Sequence, residues 1–430
     1  MLKKLISTLG IRTFSAAVNL AIAVLLSQYL GPAGKGTQSI IITTISFILI
    51  FSNFVGGATL VYLAPRYPVE KLLMPSYAWT LLTGIFSFVV LSVLSLFGNR
   101  YALVESRYII HVCVLSILNS VTGIHSNILL GKEQVHKSNL LVLFQSLFLV
   151  LCLLLVFTVF GQWTVDAYVW SLYISFGLCL VLSTLYIRSF IPKIRIFSLG
   201  EYIPVVREMF RVGIQNQVAH ITQLLSFRLS YYVLEKYKGP AALGVYSNGI
   251  SIAESIWLVA KSMALVQYSW VSNSKDRDES AKLTIKLVMV CLVLSLLILI
   301  PLLILPAGAY TWIFGEGFEG VRPVIWTLAP GVAIYNLSIL FGHYFSGTGR
   351  YYRNSGISTA GLVVSAVLYF TLIPAFSVTG AGIATSISYL FTSLLFLWHF
   401  AREYGNWWKE MFPKRSELKA MLAQIRSKIK

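Results

Sequence analysis

The chain contains 430 residues, of which 57% are hydrophobic and only 12% are charged. A soluble globular protein carries about twice that charged fraction, so the composition excludes a water-soluble protein and indicates an integral membrane protein. The formal net charge is +18, and we attribute it to the Lys and Arg residues that membrane proteins gather in cytoplasmic loops, rather than to nucleic-acid binding.

Twelve apolar segments are long enough to cross a hydrocarbon core about 30 Å thick, which requires about 20 helical residues. The predicted fold is therefore all-α, with twelve transmembrane helices. In chain order the spans are 5–30, 39–64, 75–97, 107–130, 139–160, 165–187, 213–234, 243–271, 283–306, 323–347, 355–375 and 379–400. Lys and Arg are concentrated on the side that holds both termini, so both termini are expected to be cytoplasmic. This topology places Lys35 in an outer turn.

A short motif occurs at equivalent points of the two halves of the chain. The sequence GPAGKGTQS follows helix 1 at 31–39, and GPAALGVYS follows helix 7 at 239–247. The shared pattern GPAxxGxxS predicts a tight turn, in which Pro interrupts the helix and Gly provides backbone freedom. Six helices per half indicate a parallel repeat. We predict lobes at 1–196 and 197–405, and a basic amphipathic tail at 406–430 on the cytoplasmic leaflet.

Four charged side chains lie within the predicted spans, where a charge costs a few kcal/mol and is a candidate for function. Arg12 lies in helix 1, Arg228 in helix 7, and Glu254 and Lys261 in helix 8. Three cations against one carboxylate favour an anionic guest, since Arg and Lys both bind phosphate well. In the alternative interpretation, Arg12 reaches the cytoplasmic surface. Glu254 and Lys261, seven residues apart on one helix face, then pair with each other.

Amide side chains extend this polar interior. Asn53 in helix 2 and Gln223 in helix 7 are predicted to bind sugar hydroxyls in a watery groove. Hydrogen bonding between helices is the alternative role for such amides. Proton transfer and simple packing are both open for the intramembrane His125, His220 and His343.

These features together resemble the bacterial polysaccharide flippases of the O-antigen type. That family belongs to the multidrug/oligosaccharidyl-lipid/polysaccharide exporter superfamily. The resemblance extends to about residue 400 and is carried by residues 30–36, 228–234, 239–247 and 373–389. The family often has Arg-x-Asp in helix 7, whereas here Ser230 follows Arg228 in place of the Asp. This departure predicts that the charge of Arg228 is free for a ligand.

The resemblance implies two six-helix lobes around a central cavity lined by helices 1, 2, 7 and 8. It implies a transporter rather than an enzyme. The substrate would be an oligosaccharide repeat unit on polyprenyl diphosphate, moved from the cytoplasmic to the outer leaflet of the inner membrane for O-antigen or capsule assembly. Substrate-binding roles would fall to Arg12, Arg228, Lys261, Glu254, Asn53 and Gln223.

The same resemblance implies a monomer with membrane lipids and a polysaccharide polymerase as partners. No cofactor is expected, and coupling to protons or to sodium is open. A cation-coupled drug exporter of the same superfamily and a membrane glycosyl-polymerase are the alternatives. The first would favour several carboxylates facing the cavity, and the second usually needs a large outer loop, which this chain lacks.

Overall fold

A computed structural model describes residues 2–98, 101–191, 197–274 and 276–405, so the predicted amphipathic tail at 406–430 lies outside the described residues. The secondary structure of the described residues is helical, and turns and short loops join the helices. The helices are α1 Leu2–Gly56, α2 Ala58–Leu63, α3 Val69–Leu96, α4 Ile109–Gly131, α5 Val135–Leu154, α6 Val165–Arg188, α7 Leu199–Ser255, α8 Trp257–Asn273, α9 Arg277–Ile304, α10 Ala307–Phe314, α11 Val321–Gly347 and α12 Tyr351–Glu403.

Three of these helices are long enough to cross the membrane twice. α1, α7 and α12 contain 55, 57 and 53 residues, which corresponds to about 80 Å each. Each is broken at a single residue with positive φ, namely Gly31 (66°), Gly239 (81°) and Ser377 (55°). The breaks divide α1 into α1a (residues 2–30) and α1b (32–56), and α7 into α7a (199–238) and α7b (240–255).

Within the described residues, counting each of the three broken helices as two spans gives the predicted number of twelve, and the all-α architecture of two six-helix lobes is confirmed. α7 and α8 meet at a bend of 42°, and we count α7b together with α8 as one span. α3, α4, α5, α6, α9 and α11 each cross once by length and composition. Two details differ from the prediction. α10 forms within the predicted loop at 307–322, and α7 starts inside the predicted loop at 188–211, where Ser198 and Glu201 form a capping box.

The repeated Gly-Pro motif produces two turns that pack against each other. Pro32 and Pro240 are each the first residue after a break, a position where the missing N–H disturbs no helical hydrogen bond. A Cβ atom on Gly36 would lie 1.8 Å from the carbonyl oxygen of Pro240, and one on Gly244 would lie 1.9 Å from that of Pro32. The second glycine of the shared pattern GPAxxGxxS, which is Gly36 or Gly244, therefore lets its helix touch the backbone of the opposite turn. We call this contact the crossed turns.

The two halves differ in how their interiors are filled. In the C-terminal half (α7–α12), the rings of Phe227, Trp257, Tyr335 and Tyr389 form a packed aromatic cluster with centroid separations of 4.6 to 5.7 Å. Offset and edge-on aromatic contacts of this kind are favourable beyond simple burial. The N-terminal half (α1–α6) instead encloses open space against α7, and the candidate site lies there.

Candidate functional site

A cavity of 470 Å³ lies between the N-terminal half and both segments of α7. The helices predicted to line it, 1, 2, 7 and 8, all contribute residues, through α1a, α1b, α7a and α7b. Helices α4, α5 and α6 contribute as well, which was not predicted. The polar side chains along its described wall are those of Asn19, Lys35, Gln38, Ser39, Thr43, Asn119, Gln145, Ser146, Tyr168, Arg228, Tyr231, Ser247 and Ser251.

Arg228 and Glu254 form a two-pronged ion pair at this cavity. Nη1 of Arg228 donates to Oε1 of Glu254 at 3.1 Å, and Nη2 donates to Oε2 at 2.9 Å. The two side chains are only 24% and 16% exposed, and parallel hydrogen bonds of this kind are among the strongest that proteins make. The prediction that Ser230 leaves Arg228 free is therefore wrong, because a carboxylate from α7b takes the place of the missing Asp.

The alternative pairing of Glu254 with Lys261 is also wrong. The 42° bend between α7b and α8 falls between the two residues, so seven-residue spacing no longer places them on one face. Lys261 is exposed, and its Nζ lies 5.6 Å from the ring centroid of Trp257. Lys261 is not among the residues that line the cavity.

Of the remaining predicted site residues, Asn53 and Gln223 lie apart from the cavity, and the side chain of Arg12 is not described. The main-chain oxygen of Asn53 accepts a 3.3 Å hydrogen bond from Nε2 of Gln217, where α1b meets α7a. Gln223 lines a small separate pocket in the C-terminal half, next to Tyr335 and Tyr389. Arg12 lies on α1a, and its side chain is outside the described residues. Of the six, the structure brings Arg228 and Glu254 together.

Sequence reasoning missed Lys35, which is 94% shielded and faces the cavity. Its Nζ donates to Oε1 of Gln38 at 2.7 Å, and Nε2 of Gln38 donates to the hydroxyl of Tyr168 at 3.1 Å. Because the turn consists of Gly31 alone and the helix resumes at Pro32, Lys35 already lies in helix α1b rather than in a loop. Pro at the first helical position was the signal that could have shown this.

The charge balance of the cavity wall follows from these contacts. Lys35 and Arg228 are the charged residues in its described lining, which contains no carboxylate. Glu254 neutralises Arg228 from behind, whereas Lys35 has a neutral amide as its hydrogen-bond acceptor. An ammonium group has three N–H donors, so Lys35 can still bind an anion inside the cavity.

Amides around Lys35 add groups suited to a hydroxyl-rich ligand. Nε2 of Gln145 donates to Oδ1 of Asn119, and the hydroxyl of Ser146 donates to Oδ1 of Asn19, both at 3.2 Å. Each amide has two donors and an acceptor with two lone pairs, so these bonds leave capacity for a guest. The wall can thus bind a molecule with an anionic part and several hydroxyl groups.

Two of the three intramembrane histidines have structural partners. Nε2 of His125 lies 2.5 Å from the hydroxyl of Tyr77, and Nδ1 lies 2.8 Å from Oγ of Ser183. Nδ1 of His343 lies 2.8 Å from the main-chain oxygen of Ile339. These contacts favour packing over proton transfer for both residues.

Comparison with known proteins assigns the chain to a family. The family model described as "Polysaccharide biosynthesis protein" matches residues 1–268, more than half of the chain. The chain therefore belongs to this family of polysaccharide biosynthesis proteins. No curated protein matches it.

Solved structures of transporters share its fold. A multidrug resistance MATE family transporter of the MOP superfamily, in an inward-facing conformation, aligns with a TM-score of 0.78 at 13% identity over 94% of this chain and 99% of its own. An outward-facing structure of a MATE family transporter aligns with a TM-score of 0.65 at 13% identity, covering 93% of each chain. The lipid II flippase MurJ, in an inward closed conformation, aligns at 0.73 and 13% identity over 93% of this chain and 87% of its own. The protein is thus a multi-pass membrane protein with the MOP-superfamily fold.

Proposed function

We propose that this protein is a flippase for a saccharide attached to polyprenyl diphosphate. It moves this lipid-linked repeat unit from the cytoplasmic to the outer leaflet of the bacterial inner membrane, for assembly of a surface polysaccharide such as O-antigen or capsule. Its membership of a polysaccharide biosynthesis family supports this substrate class. No resident cofactor is needed in this proposal, and a proton or sodium gradient would drive the cycle.

The buried ammonium of Lys35 is the observation that carries the proposal. Among the described residues no carboxylate pairs with this ammonium, and a charge kept inside a membrane protein without a counter-charge is a candidate for function. A diphosphate supplies the missing negative charge, and the amides and hydroxyls beside Lys35 match the hydroxyl groups of a sugar. The cavity replaces the water that a sugar diphosphate would lose on entering hydrocarbon.

The crossed turns support loading from the cytoplasmic side. With both termini cytoplasmic, α1a runs outward, so Gly31 and Gly239 lie at the outer face. The contacts of Gly36 with Pro240 and of Gly244 with Pro32 hold the two turns together at that face in the described conformation. Alternating access then requires the two turns to separate as the lobes rock apart on the outer side.

The drug-exporter alternative fits this cavity less well. A site for organic cations would place carboxylates on its wall, and the described lining contains none. Glu254 is the nearby carboxylate, and both of its oxygens are used by Arg228. The cavity therefore favours anions over organic cations.

The proposal predicts that Lys35→Met abolishes most transport. Hydrogen bonds to a charged group contribute about 1.5–3 kcal/mol, so the loss is expected to be about tenfold to a hundredfold. The first measurement is surface polysaccharide in a strain that lacks its own flippase and expresses this protein. The second is flipping of a fluorescent polyprenyl-diphosphate saccharide in liposomes that contain the purified protein.

Lys236→Met is the matched control, because it removes the same charge from an exposed position near the end of α7a. It should transport as the parent does. Equal transport by Lys35→Met at equal membrane levels would rule out Lys35 as the anion-binding group. A parent protein that flips no lipid-linked saccharide would rule out the proposed function itself.

A further inference from the structure

An apolar groove runs along the membrane-facing side of α1b, α3 and α7a, with a volume of 730 Å³. Its walls include Phe47, Phe51, Leu82, Phe86, Leu225 and Leu229. Along α3 it extends from Trp79 to Leu91, roughly 18 Å at 1.5 Å per residue. Leu82 and Phe86 are 56% and 67% exposed, so the groove is open to the lipid.

The groove and the polar cavity are opposite faces of one wall. On α1b, Ile42 and Thr43 line the cavity, and the next residue, Thr44, lines the groove. On α7a, Tyr231 lines the cavity, and its neighbour Tyr232 lines the groove. Two helices, one from each half, therefore separate a site for a polar head from a channel for a hydrocarbon chain.

Four of the five polar side chains in the groove lining, those of Thr44, Trp79, Thr83 and Tyr232, are hydrogen-bonded within the protein. The hydroxyls of Thr44 and Tyr232 lie 2.8 Å apart, joining α1b to α7a across the wall. Nε1 of Trp79 donates to the main-chain oxygen of Phe51 at 3.0 Å, and the hydroxyl of Thr83 donates to the main-chain oxygen of Thr80 at 2.9 Å. The groove thus presents mainly hydrocarbon and aromatic surface to its occupant, and the hydroxyl of Ser87 is the fifth polar group in its lining.

We propose that this groove holds the polyprenyl chain of the substrate while the saccharide diphosphate occupies the cavity. This inference rests on the proposed function and specifies where the lipid part of the substrate lies. The link between head and chain passes between Thr44 and Tyr232. Those residues belong to different halves of the protein. When the lobes rock, Thr44 and Tyr232 therefore separate and let the link pass between them.

The test uses the purified full-length protein in lipid nanodiscs and two photoreactive probes. One is a long-chain polyprenyl diphosphate with a diazirine on its chain, and the other is a diacyl phospholipid with a diazirine on an acyl chain. The polyprenyl probe is expected to label residues 79–91, and unlabelled polyprenyl diphosphate should compete. Equal labelling by the phospholipid probe, without such competition, would show that the groove holds ordinary membrane lipid and would overturn the inference.

The second test fills the groove with large side chains and measures transport and binding. The double variant Leu82→Trp/Val90→Trp places two large side chains in the groove, and the control Val181→Trp/Leu185→Trp places them on the exposed face of α6. Transport of a long-chain substrate should fall at least fivefold in the first variant alone. Binding of a short-chain prenyl diphosphate saccharide should stay at the parent level.

The combined outcomes separate the two proposals. Suppose that the parent protein binds the short-chain prenyl diphosphate saccharide and that Leu82→Trp/Val90→Trp transports the long-chain substrate normally. The groove assignment then fails and the flippase function stands. If the parent protein binds neither the short-chain prenyl diphosphate saccharide nor the photoreactive polyprenyl diphosphate, both proposals fail.

Discussion

Glu254→Gln is expected to destabilise the protein by about 3 kcal/mol, because it leaves the guanidinium of Arg228 largely buried without a counter-charge. Removing one partner of a buried ion pair is far more costly than removing both. Arg228→Gln should have a similar effect, since it leaves the carboxylate of Glu254 unpaired. Thermal unfolding of the purified protein in detergent measures both changes.

The double variant Arg228→Gln/Glu254→Gln provides the decisive comparison. It replaces the ion pair by two amides of similar shape, and we expect it to recover most of the stability lost by either single variant. A double variant as unstable as the sum of the two single variants would contradict a direct coupling between these residues. Arg228→Lys should remain destabilised, because an ammonium cannot reproduce the two parallel hydrogen bonds.

Gly36→Ala is expected to open the crossed turns. The new Cβ would lie 1.8 Å from the carbonyl oxygen of Pro240, a contact with rigid backbone rather than with a side chain that can move aside. Overpacking of this kind costs about 3 kcal/mol, which shifts the equilibrium away from the closed-turn conformation roughly a hundredfold. Gly244→Ala should do the same from the opposite turn.

Spin labels on Ala33 and Ala241, which are exposed beside the two turns, would report the separation. The distance between them should lengthen and broaden in Gly36→Ala. The control is Gly123→Ala in α4, where a Cβ meets nothing within 4 Å. An unchanged distance in Gly36→Ala would show that the turns tolerate the methyl group and that the close packing does not set the conformation.

The membrane architecture was readable from the sequence because the bilayer imposes length and apolarity on each span. The two Gly-Pro motifs marked the breaks in α1 and α7 directly. The sequence did not show that parts of two predicted loops are helical, namely α10 and the start of α7. Ser198 and Glu201 start α7 well before its apolar part, and a helix that extends beyond the lipid has no hydropathy signal.

The site was only partly predictable, for geometric reasons. Arg228 and Glu254 lie 26 residues apart on successive segments of α7, and helical periodicity predicts faces but not which neighbour each face meets. Lys35 was placed in a loop because a one-residue turn was not expected. Gln223 lies only five residues before Arg228 yet lines a different pocket, in the C-terminal half. Five residues turn an α-helix by about 140° net, so the two side chains lie on different faces of α7a.

The crossed turns also constrain how the two halves can change over evolutionary time. Gly36 and Gly244 each face a carbonyl group of the other half. A substitution at either glycine therefore has to fit against backbone that lies about two hundred residues away in the sequence. A hybrid that joins the first six helices of one family member to the last six of another would have to preserve both glycines and the geometry of both prolines. Compatibility at this point, more than resemblance elsewhere, should determine which hybrids assemble.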